Sequence, residues 1–339
     1  MRIALDAMGG DHSPHDIVLG AVEAAKEHGI EVILVGPEDV VQGEMAKYVT
    51  TRPALVVAHA SQVISMSEPP IEAVRQKGDS SIVVGLDLVK RGAAAAFVSA
   101  GNTGAVMAAA LFTLGRIPGI DRPALAATIP TSNGACLFLD AGANADCKPS
   151  YLLQFAYMGS YYMEKVLGVK SPRVALLSNG EEDTKGNQLV KETAPLLRQS
   201  GLNFQGFVEG KDLVIGAADV VVTDGFTGNV VIKVIEGVGE AMFRELRRVM
   251  EEKPHYKLAA SFLKPALKEL AVKTDYAEYG GVPLLGVNGV VVIAHGRSNA
   301  KSIKNSILSA KGAVERDIVS VLEGISSQPG VALTSSGGR

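Results

Sequence analysis

The stretch Val174-Ala-Leu-Leu-Ser-Asn-Gly-Glu-Glu-Asp-Thr-Lys-Gly-Asn187 decides the fold of this chain. It combines a short apolar run, typical of a strand, with a glycine-rich polar turn, and a helical pattern follows it. A second unit of the same kind is Val220-Val-Val-Thr-Asp-Gly-Phe-Thr-Gly-Asn229. In a strand, turn and helix unit, backbone N–H groups and the helix N-terminus converge on an anion. The two units therefore predict an anion-handling enzyme rather than a scaffold protein.

Strand-like and helix-like patterns alternate through most of the chain. This alternation predicts an α/β protein with three layers, a mostly parallel sheet covered by helices on both faces. The predicted strands are Ile3–Asp6, Glu31–Val35, Ala54–Ala58, Ala94–Ser99, Ala124–Ile129, Ala135–Asp140, Arg173–Ser178, Asn203–Val208, Asp219–Thr223 and Gly289–Ala294. The predicted helices are Pro14–His28, Pro70–Lys77, Ile82–Arg91, Thr103–Leu114, Ser150–Val166, Asn187–Gln199, Val230–Met250 and Ser298–Leu322. The fifth and sixth strands predict an antiparallel hairpin, which makes the sheet mixed.

Two regions depart from this alternation. Residues 230–279 have the pattern of a helical hairpin that turns near Lys253 and Pro254. We expect it to protrude from a single two-lobed catalytic unit that spans residues 1–325. Residues 326–339 have the composition of a linker and are predicted to be disordered.

Composition excludes several classes of protein. The chain has 339 residues, of which 47% are hydrophobic and 20% charged, so it can bury a large core without metals or disulfides. The net charge of −3 provides no general attraction for nucleic acid, and none is expected as a partner. Cys136 and Cys147 lack a metal-binding spacing and fit a reduced cytoplasmic compartment. We find no signal-peptide pattern and no apolar run of the roughly 20 residues that a membrane span needs.

Three further polar turns follow predicted strands, and all five are numbered in chain order. The first is Asp6-Ala-Met-Gly-Gly-Asp-His-Ser-Pro14, the second Ser99-Ala-Gly-Asn-Thr-Gly-Ala105 and the third Asp140-Ala-Gly-Ala-Asn-Ala-Asp146. The fourth turn is 178–187 and the fifth is 223–229. Because ligands of open α/β sheets bind where the strands end, we expect the turns to line one crevice. Taken singly, each turn is also compatible with an ordinary capped loop.

The turns supply the candidate binding residues. Their glycines permit close backbone approach, and their short polar side chains offer uncharged donors and caps. The candidates are Asp6, Gly9, Gly10, Ser99, Gly101, Asn102, Thr103, Gly104, Asn144, Asn179, Asn187, Asp224 and Thr227. Lys185 can neutralise a phosphate at the start of a helix. Asp140 and Asp146 leave a choice between a divalent cation site and a solvated acidic loop.

The usual nucleophile motifs are missing from the sequence. It contains neither the G-x-S-x-G elbow nor the H-E-x-x-H zinc motif, and Cys136 lies in the middle of a predicted strand, where we expect it to be buried. Among the six histidines only His12 lies in one of the five turns. His295 closes a predicted strand, and we expect a structural role for it.

Taken together, these motifs resemble the bacterial phosphate acyltransferase family of phospholipid synthesis. The resemblance extends from Met1 to about Gly324 and rests on four of the numbered turns, the first, second, fourth and fifth. It implies a fold similar to isocitrate and isopropylmalate dehydrogenases and to phosphotransacetylase, with a homodimer and an active site in the cleft between the lobes. It also implies that Lys185 and Asn229 belong to that site, and that no metal or cofactor takes part.

The activity implied by the resemblance is acyl transfer from acyl-acyl-carrier-protein to inorganic phosphate. The acyl phosphate product would then serve an acyl phosphate-using glycerol-3-phosphate acyltransferase. Phosphate is largely a dianion at pH 7, so it can attack a thioester without a strong protein base. The enzyme must orient it and stabilise the oxyanion, tasks that suit backbone amides, Asn229 and Lys185. His12 is a candidate for protonating the leaving thiolate.

The second arm of the predicted helical hairpin is amphipathic. Leu258, Phe262, Ala266, Leu267 and Leu270 share one face, with lysines opposite. Three interpretations remain open: packing against the body or a partner subunit, shallow insertion into a membrane surface, and docking of an acidic carrier protein. The last two are compatible with each other, and the resemblance favours both. Insertion into a membrane surface predicts peripheral membrane association of a cytoplasmic enzyme. The candidate contact residues for them are Arg244, Arg247, Arg248, Leu258, Phe262 and Leu267.

Two other functions compete with acyl transfer to phosphate. One is an NAD-dependent decarboxylating dehydrogenase of similar fold, which would need a dinucleotide pocket and an aspartate-bound metal ion. The other is a non-catalytic membrane adaptor that recruits acyl-carrier-protein. Formation of acyl phosphate from acyl-acyl-carrier-protein and phosphate would distinguish the enzyme from both.

Overall fold

The computed structural model describes residues 1–48, 54–132, 134–274 and 280–331. In these parts of the chain, eleven strands form one sheet. Their bounds are β1 Arg2–Asp6, β2 Glu31–Gly36, β3 Leu55–His59, β4 Ala96–Ser99, β5 Ala124–Thr131, β6 Gly134–Leu139, β7 Val174–Leu177, β8 Phe204–Val208, β9 Val220–Val222, β10 Val282–Leu285 and β11 Val290–Ile293. All ten predicted strands are therefore confirmed, and β10 is an addition.

Strand order and direction divide the sheet into two parallel halves. The order is β3-β2-β1-β4-β11-β10-β5-β6-β9-β7-β8. Pairing is parallel from β3 to β11 and again from β6 to β8. The central pairs β11–β10, β10–β5 and β5–β6 are antiparallel. The mixed sheet and the β5–β6 hairpin are thus confirmed, and the three reversals make the two halves point in opposite directions.

Helices cover both faces of the sheet. Their bounds are α1 His15–His28, α2 Glu38–Met45, α3 Pro70–Gln76, α4 Ser81–Lys90, α5 Thr103–Thr113, α6 Pro149–Lys165, α7 Gln188–Gln199, α8 Gly225–Glu252, α9 Pro254–Thr274, α10 Ala300–Glu315 and α11 Ile318–Glu323. One core lies under α1, α6, α7, α10 and α11, and α3, α4, α5 and the first turns of α8 cover the other face. The predicted three-layer architecture is confirmed.

Three elements differ from the predictions. The strand β10 was not predicted because it contains Pro283, and proline is rare in central strands. The helix α2 was missed because it buries only Val41 and Glu44 and therefore lacks an apolar face. The helix predicted over Ser298–Leu322 is two helices, since Asp317 takes a left-handed backbone conformation (φ 49°) between them.

The helical hairpin consists of α8 and α9. It turns at Lys253, as predicted, but α8 begins five residues earlier than expected, so the fifth turn forms its first helical turns. Most of α8 stands away from the body, since Gly225 and Gly228 are its buried residues. Within the described parts of the chain, no helix is both long enough and apolar enough to cross a membrane.

The beginning of the predicted disordered tail is ordered. Val331 is buried, and the Tyr157 hydroxyl donates a hydrogen bond of 3.1 Å to the carbonyl oxygen of Pro329. Ser326 lies against Gly119. The prediction of disorder is therefore wrong for residues 326–331, because these residues pack on α6 and the core. Residues 332–339 lie outside the described part of the chain.

Candidate active site

The first and second turns are joined by a buried carboxylate. Asp6 is 1% exposed, and its side chain accepts hydrogen bonds from the backbone N–H of Met8 (3.1 Å) and the hydroxyl of Ser99 (2.7 Å). The Ser99 oxygen in turn accepts from the N–H of Gly101 (3.0 Å). Burial raises the pKa of Asp6, although these hydrogen bonds oppose the rise. Asp6 and Ser99 therefore hold the two turns together, and their buried polar groups already have protein partners.

Glycine is required where the first two turns meet. A Cβ on Gly9 would lie 2.6 Å from the backbone nitrogen of Gly101 and 2.5 Å from a carboxylate oxygen of Asp6. Any side chain at Gly9 would therefore force the turns apart. Gly10, with φ of 98°, lies over Ala100 in the same contact. The predicted importance of these glycines for close approach has a structural basis, which is the contact between two backbones.

Asn102 is fully engaged within the protein. Its side-chain oxygen accepts from the N–H of Ala105 and caps α5, and its amide nitrogen donates to the carbonyls of Ser65, Met66 and Glu68 at 3.1–3.3 Å. Asn102 thus fastens the 65–68 loop over the second turn. The neighbouring Thr103 side chain is exposed at the start of α5. Of the two, Thr103 is the one accessible to a ligand.

A sixth turn, after β11, joins this first group of turns. Asp11 donates its backbone N–H to the carbonyl of Gly296 (2.7 Å), and Ala294 donates to the carbonyl of Ser99 (2.8 Å). Residues 294–299 repeat the strand, turn and capped-helix pattern, since Asn299 caps α10. That pattern could have revealed the turn from sequence. His12 is exposed in the adjacent first turn.

His295 lies in the sixth turn and is half-buried. Its Nδ1 accepts a hydrogen bond of 3.1 Å from the N–H of Arg297. Burial lowers the pKa of His295, and Lys233 and Arg297 add to the effect, whereas Glu236 and Asp11 oppose it. These charges come from three elements that surround the imidazole. His295 therefore belongs to the first group of turns, a position that its isolated place in the sequence did not reveal.

The third turn is organised around Asp140, which is completely buried. One oxygen accepts from the N–H groups of Leu125, Gly142 and Ala143, and the other accepts from the backbone and side-chain nitrogens of Asn144, at 2.7–3.2 Å. Burial raises the pKa of Asp140 against the effect of these donors. Because both oxygens face N–H donors, Asp140 shapes the turn and is not arranged as a cation ligand.

Asn144 also serves the fold. Its amide nitrogen donates to the Pro123 carbonyl (2.8 Å) as well as to Asp140 (2.9 Å). Among the described residues, three acidic side chains within 4.8 Å of one another occur elsewhere, at Glu181, Glu209 and Asp212. Asp146 is exposed and is not part of that group. The alternative of a cation held between Asp140 and Asp146 is therefore not supported.

The fifth turn packs directly on the third. Gly225 donates its N–H to the carbonyl of Asn144 (2.7 Å), and a Cβ on Gly228 would lie only 1.8 Å from the carbonyl oxygen of Asp140. The Asn229 amide donates to the carbonyl of Ala141 (3.3 Å) and remains exposed. Asp224 caps α8 by accepting from the N–H and hydroxyl of Thr227, both at 2.8 Å.

The fourth turn is held by its own side chains. The Asn179 oxygen accepts from the N–H of Gly186 (2.8 Å), and the Asn187 oxygen accepts from Val190 (3.0 Å) to cap α7. The Lys185 N–H donates to the carbonyl of Glu182 (2.9 Å), and its side chain is exposed. This turn follows β7, the parallel neighbour of β9, so it lies at the same edge of the sheet as the fifth turn.

The turns thus form two groups at opposite edges of the sheet. The first, second and sixth turns follow β1, β4 and β11, which belong to one parallel half of the sheet. The third, fourth and fifth turns follow β6, β7 and β9, which belong to the half that runs in the opposite direction. The sheet therefore does not gather all the turns at one end of its strands, because the antiparallel central strands reverse the direction of the second half.

Helix α8 connects the two groups. It begins on the third turn, and its Glu240 side chain forms an ion pair of 2.8 Å with Arg297 of the sixth turn. Lys233, eight residues beyond Gly225, lies about 12 Å further along the helix axis and is one of the charges around His295. Lys233 is therefore about two turns of α8 beyond Gly225, and Asn229 lies between them.

Comparisons with solved structures show the class of fold. The fold resembles phosphotransacetylase from Streptococcus pyogenes, with a TM-score of 0.65, 20% identity and coverage of 93% of this chain and 94% of that one. It also resembles 4-hydroxythreonine-4-phosphate dehydrogenase from Klebsiella pneumoniae, with a TM-score of 0.55, 15% identity and coverage of 93% and 99%. The predicted fold, with its likeness to phosphotransacetylase, is confirmed. The dehydrogenase that it resembles here is a different one from the isocitrate and isopropylmalate dehydrogenases named in the prediction, and the likeness concerns the fold alone.

The sequence comparisons show the family. The family model described as fatty acid synthesis protein matches residues 1–321. The phosphate acyltransferase of Heliobacterium modesticaldum is 51% identical over 324 residues, covering 95% of this chain and 97% of that protein. The chain belongs to this family of phosphate acyltransferases, enzymes of fatty acid and phospholipid synthesis, as the sequence motifs predicted. Because the chain belongs to this family, acyl transfer to phosphate is favoured over the two alternative functions, the dehydrogenase and the non-catalytic adaptor.

Proposed function

We propose that this enzyme transfers a fatty acyl group from acyl-acyl-carrier-protein to inorganic phosphate. A phosphate oxygen attacks the thioester carbonyl, the carbon–sulfur bond breaks, and the carrier thiol leaves with its sulfur as thiolate, which then takes up a proton. The product is an acyl phosphate, a substrate for an acyl phosphate-using glycerol-3-phosphate acyltransferase. Family membership supports the acyl transfer, and the arrangement of the turns supports the assignment of roles below.

The third, fourth and fifth turns are the proposed phosphate site. The observation that carries this proposal is the placement of Lys185 and Asn229, both exposed, at the ends of the adjacent strands β7 and β9. The Lys185 ammonium supplies positive charge, and the exposed Asn229 amide supplies a neutral donor. Such donors stabilise a developing oxyanion by about 3 kcal/mol each, and orientation lowers the barrier by a further 7–11 kcal/mol or so.

The first, second and sixth turns are the proposed site for the rest of the donor. A phosphate ion is only a few ångströms across and occupies one group of turns, whereas the donor must reach both groups. An acyl thioester on its carrier arm is long enough to do so. In this arrangement Thr103 and His12 lie on the donor side. The thioester sulfur is bonded to the carbon that phosphate attacks and therefore lies beside the phosphate, so water rather than His12 supplies the proton to the thiolate.

The activity test combines purified protein, acyl-acyl-carrier-protein and inorganic phosphate, with acyl phosphate trapped as its hydroxamate. Lys185→Ala should raise the KM for phosphate strongly without lowering the thermal midpoint, because the side chain is exposed. Lys191→Ala is the matched control, since it removes an exposed positive charge from the next helix. Equal phosphate kinetics in the two variants would reject the role of Lys185. Absence of hydroxamate with the unmodified protein would reject the function.

The exposed stripe on α8 supports a homodimer as part of the proposal. Its apolar residues follow one another at intervals of four and are 40–68% exposed: Phe226, Val230, Val234, Val238, Met242 and Leu246. Residues at this spacing form a ridge that packs well into the groove of another helix. A continuous exposed apolar ridge of six side chains is typical of an interface. In a two-fold dimer, this ridge would pack against the same ridge of the second copy. Sedimentation of the Val234→Glu variant as a monomer would support this interface, whereas an unchanged dimer would exclude it.

The helix α9 is the proposed contact with the membrane surface. Leu258, Phe262 and Leu263 are 64%, 78% and 54% exposed, so this face does not pack against the body of its own chain. Burying such side chains in the interfacial region of a bilayer is favourable. Arg244, Arg247 and Arg248 are exposed on the other arm and remain the proposed contacts for an acidic carrier protein or anionic lipid.

Vesicle flotation tests the membrane contact. Leu258→Glu and Phe262→Glu together should release the protein from anionic vesicles and leave acyl transfer in solution unchanged. Leu167→Glu is the control, because Leu167 is also an exposed apolar residue (46%) but lies outside the hairpin. Release by the control alone, or retention of the double variant on vesicles, would contradict the assignment.

A further inference from the structure

The Ser178 side chain carries a buried oxygen that lacks a hydrogen bond. Among the described residues, this hydroxyl is the buried side-chain polar atom for which the structure provides no partner. Ser178 is the first residue after β7, and its backbone N–H donates to the carbonyl of Val208 (2.8 Å). A buried hydroxyl without a partner is unfavourable, so its presence in a native protein calls for an explanation.

Three other residues of the fourth turn form hydrogen bonds within the protein. Asn179 accepts from Gly186, Asn187 caps α7, and Lys185 donates its N–H to Glu182. The turn is therefore well ordered around the unpaired hydroxyl, and the missing hydrogen bond is not part of a generally loose loop. Ser178 stands out as a group whose partner is not supplied by the turn itself.

Gly186 lies next to this hydroxyl. It has a φ of 88°, and a Cβ built on it would lie 3.3 Å from the Ser178 oxygen and 2.6 Å from Cγ1 of Val190. Along β7, Val174 and Leu176 belong to the core under α6 and α7, while Ala175 and Leu177 belong to the core on the other face. By the same alternation Ser178 points to the α7 side, beneath the segment that carries Lys185 and Asn187.

We propose that the Ser178 hydroxyl is a hydrogen-bond donor of the phosphate site, and that it is paired when phosphate occupies the fourth turn. The inference rests on the proposed function of that turn and adds a binding residue to it. A small displacement of Gly186 would expose the hydroxyl to a phosphate oxygen held by the Lys185 ammonium. Ser178 then donates its proton in a hydrogen bond, with no covalent bond made or broken.

Ser178→Ala separates binding from folding. Without phosphate, the variant should be as thermostable as the unmodified protein or more so, because an unpaired buried hydroxyl has been removed. Its KM for phosphate should rise on the order of tenfold, as expected for one lost hydrogen bond to a charged group. The increase in thermal midpoint produced by inorganic phosphate should shrink in the same variant.

Ser306→Ala is the matched control. Ser306 is also buried, but its hydroxyl donates to the carbonyl of Ser302 (2.8 Å) inside α10. This variant should lose thermostability and keep the phosphate KM of the unmodified protein.

The outcomes discriminate between the two levels of the proposal. The role of Ser178 would be overturned if Ser178→Ala kept both the phosphate KM and the phosphate-induced stabilisation of the unmodified protein. It would also be overturned if the variant lost thermostability, as Ser306→Ala is expected to, while its phosphate KM stayed the same. In either case, an unmodified protein that forms acyl phosphate leaves the proposed function standing. Failure of the unmodified protein to form acyl phosphate would reject the function and, with it, the phosphate role of Ser178.

Discussion

The contact between α8 and the third turn leads to a sharp prediction for Gly228→Ala. A Cβ at this position would lie 1.8 Å from the carbonyl oxygen of Asp140, and an ordinary contact needs at least 3.4 Å. The helix would have to move away by about 1.6 Å, the difference between these distances. The Asp140 carbonyl is held in place by its neighbours in the sheet. The N–H of Asp140 donates to the carbonyl of Thr223 (3.1 Å), and the N–H of Ala141 donates to the carbonyl of Leu125 (3.0 Å).

Two effects on stability oppose each other in this variant. Alanine favours the helix over glycine by about 1 kcal/mol. Overpacking against a fixed backbone costs about 3 kcal/mol or more, the upper part of its usual range. The net expectation is a loss of about 2 kcal/mol in the free energy of unfolding. Because Asn229 follows directly and contacts Ala141, kcat/KM should also fall by roughly 100-fold, as for an ångström-scale displacement of a catalytic group.

Urea denaturation and the hydroxamate assay measure the two quantities. The control is Gly312→Ala in α10, where a Cβ would meet only the flexible Arg316 guanidinium at 3.9 Å. It should gain up to about 1 kcal/mol of stability and keep full activity. If Gly228→Ala were as stable and as active as this control, the close packing of α8 on the third turn would be refuted.

Two further predictions concern Asp140 and His295, polar residues of the turns. Asp140→Asn should lose about 2–3 kcal/mol of unfolding free energy, measured in urea, because an amide nitrogen cannot accept from both nitrogens of Asn144; stability equal to that of the unmodified protein would contradict the hydrogen bonding described. The pKa of His295 is lower in the folded than in the unfolded chain. The free energy of unfolding should therefore decrease as the pH falls from the unfolded-state pKa to the folded-state pKa, and the contribution of His295 should be complete above that interval. His295→Asn should flatten that part of the stability–pH curve, and an unaltered curve would show that His295 does not cause it.

Sequence reasoning recovered the secondary structure well where the pattern is local. Buried strands such as β1 and β7 are short apolar runs followed by glycine turns, and the periodic helices α6 and α10 have clear apolar faces. The elements that it missed, α2 and β10, have a weak apolar face or an internal proline. Family membership was also readable, because the motifs of the turns are contiguous in the chain.

The roles of individual turn residues were less accessible. Asp6 and Asn102 have the chemistry of ligand-binding residues, yet their hydrogen bonds go to Ser99, which is 93 residues away from Asp6, and to the 65–68 loop. A local pattern identifies a polar side chain at a strand end but not the distant partner that satisfies it. The surroundings of His295 were not predictable for the same reason, since they come from the first turn and from α8.

The sequence by itself determined the strand, turn and helix units, the chemistry of their glycines, asparagines and Lys185, and the family, because each depends on residues that are close together in the chain. Only the tertiary structure decided which turns meet. The antiparallel pairs made by β10 and β5 reverse one half of the sheet, place the turns in two groups at opposite edges and leave α8 to connect them. Strand order and direction follow from hydrogen bonds and burial between segments far apart in sequence, and no local pattern encodes them.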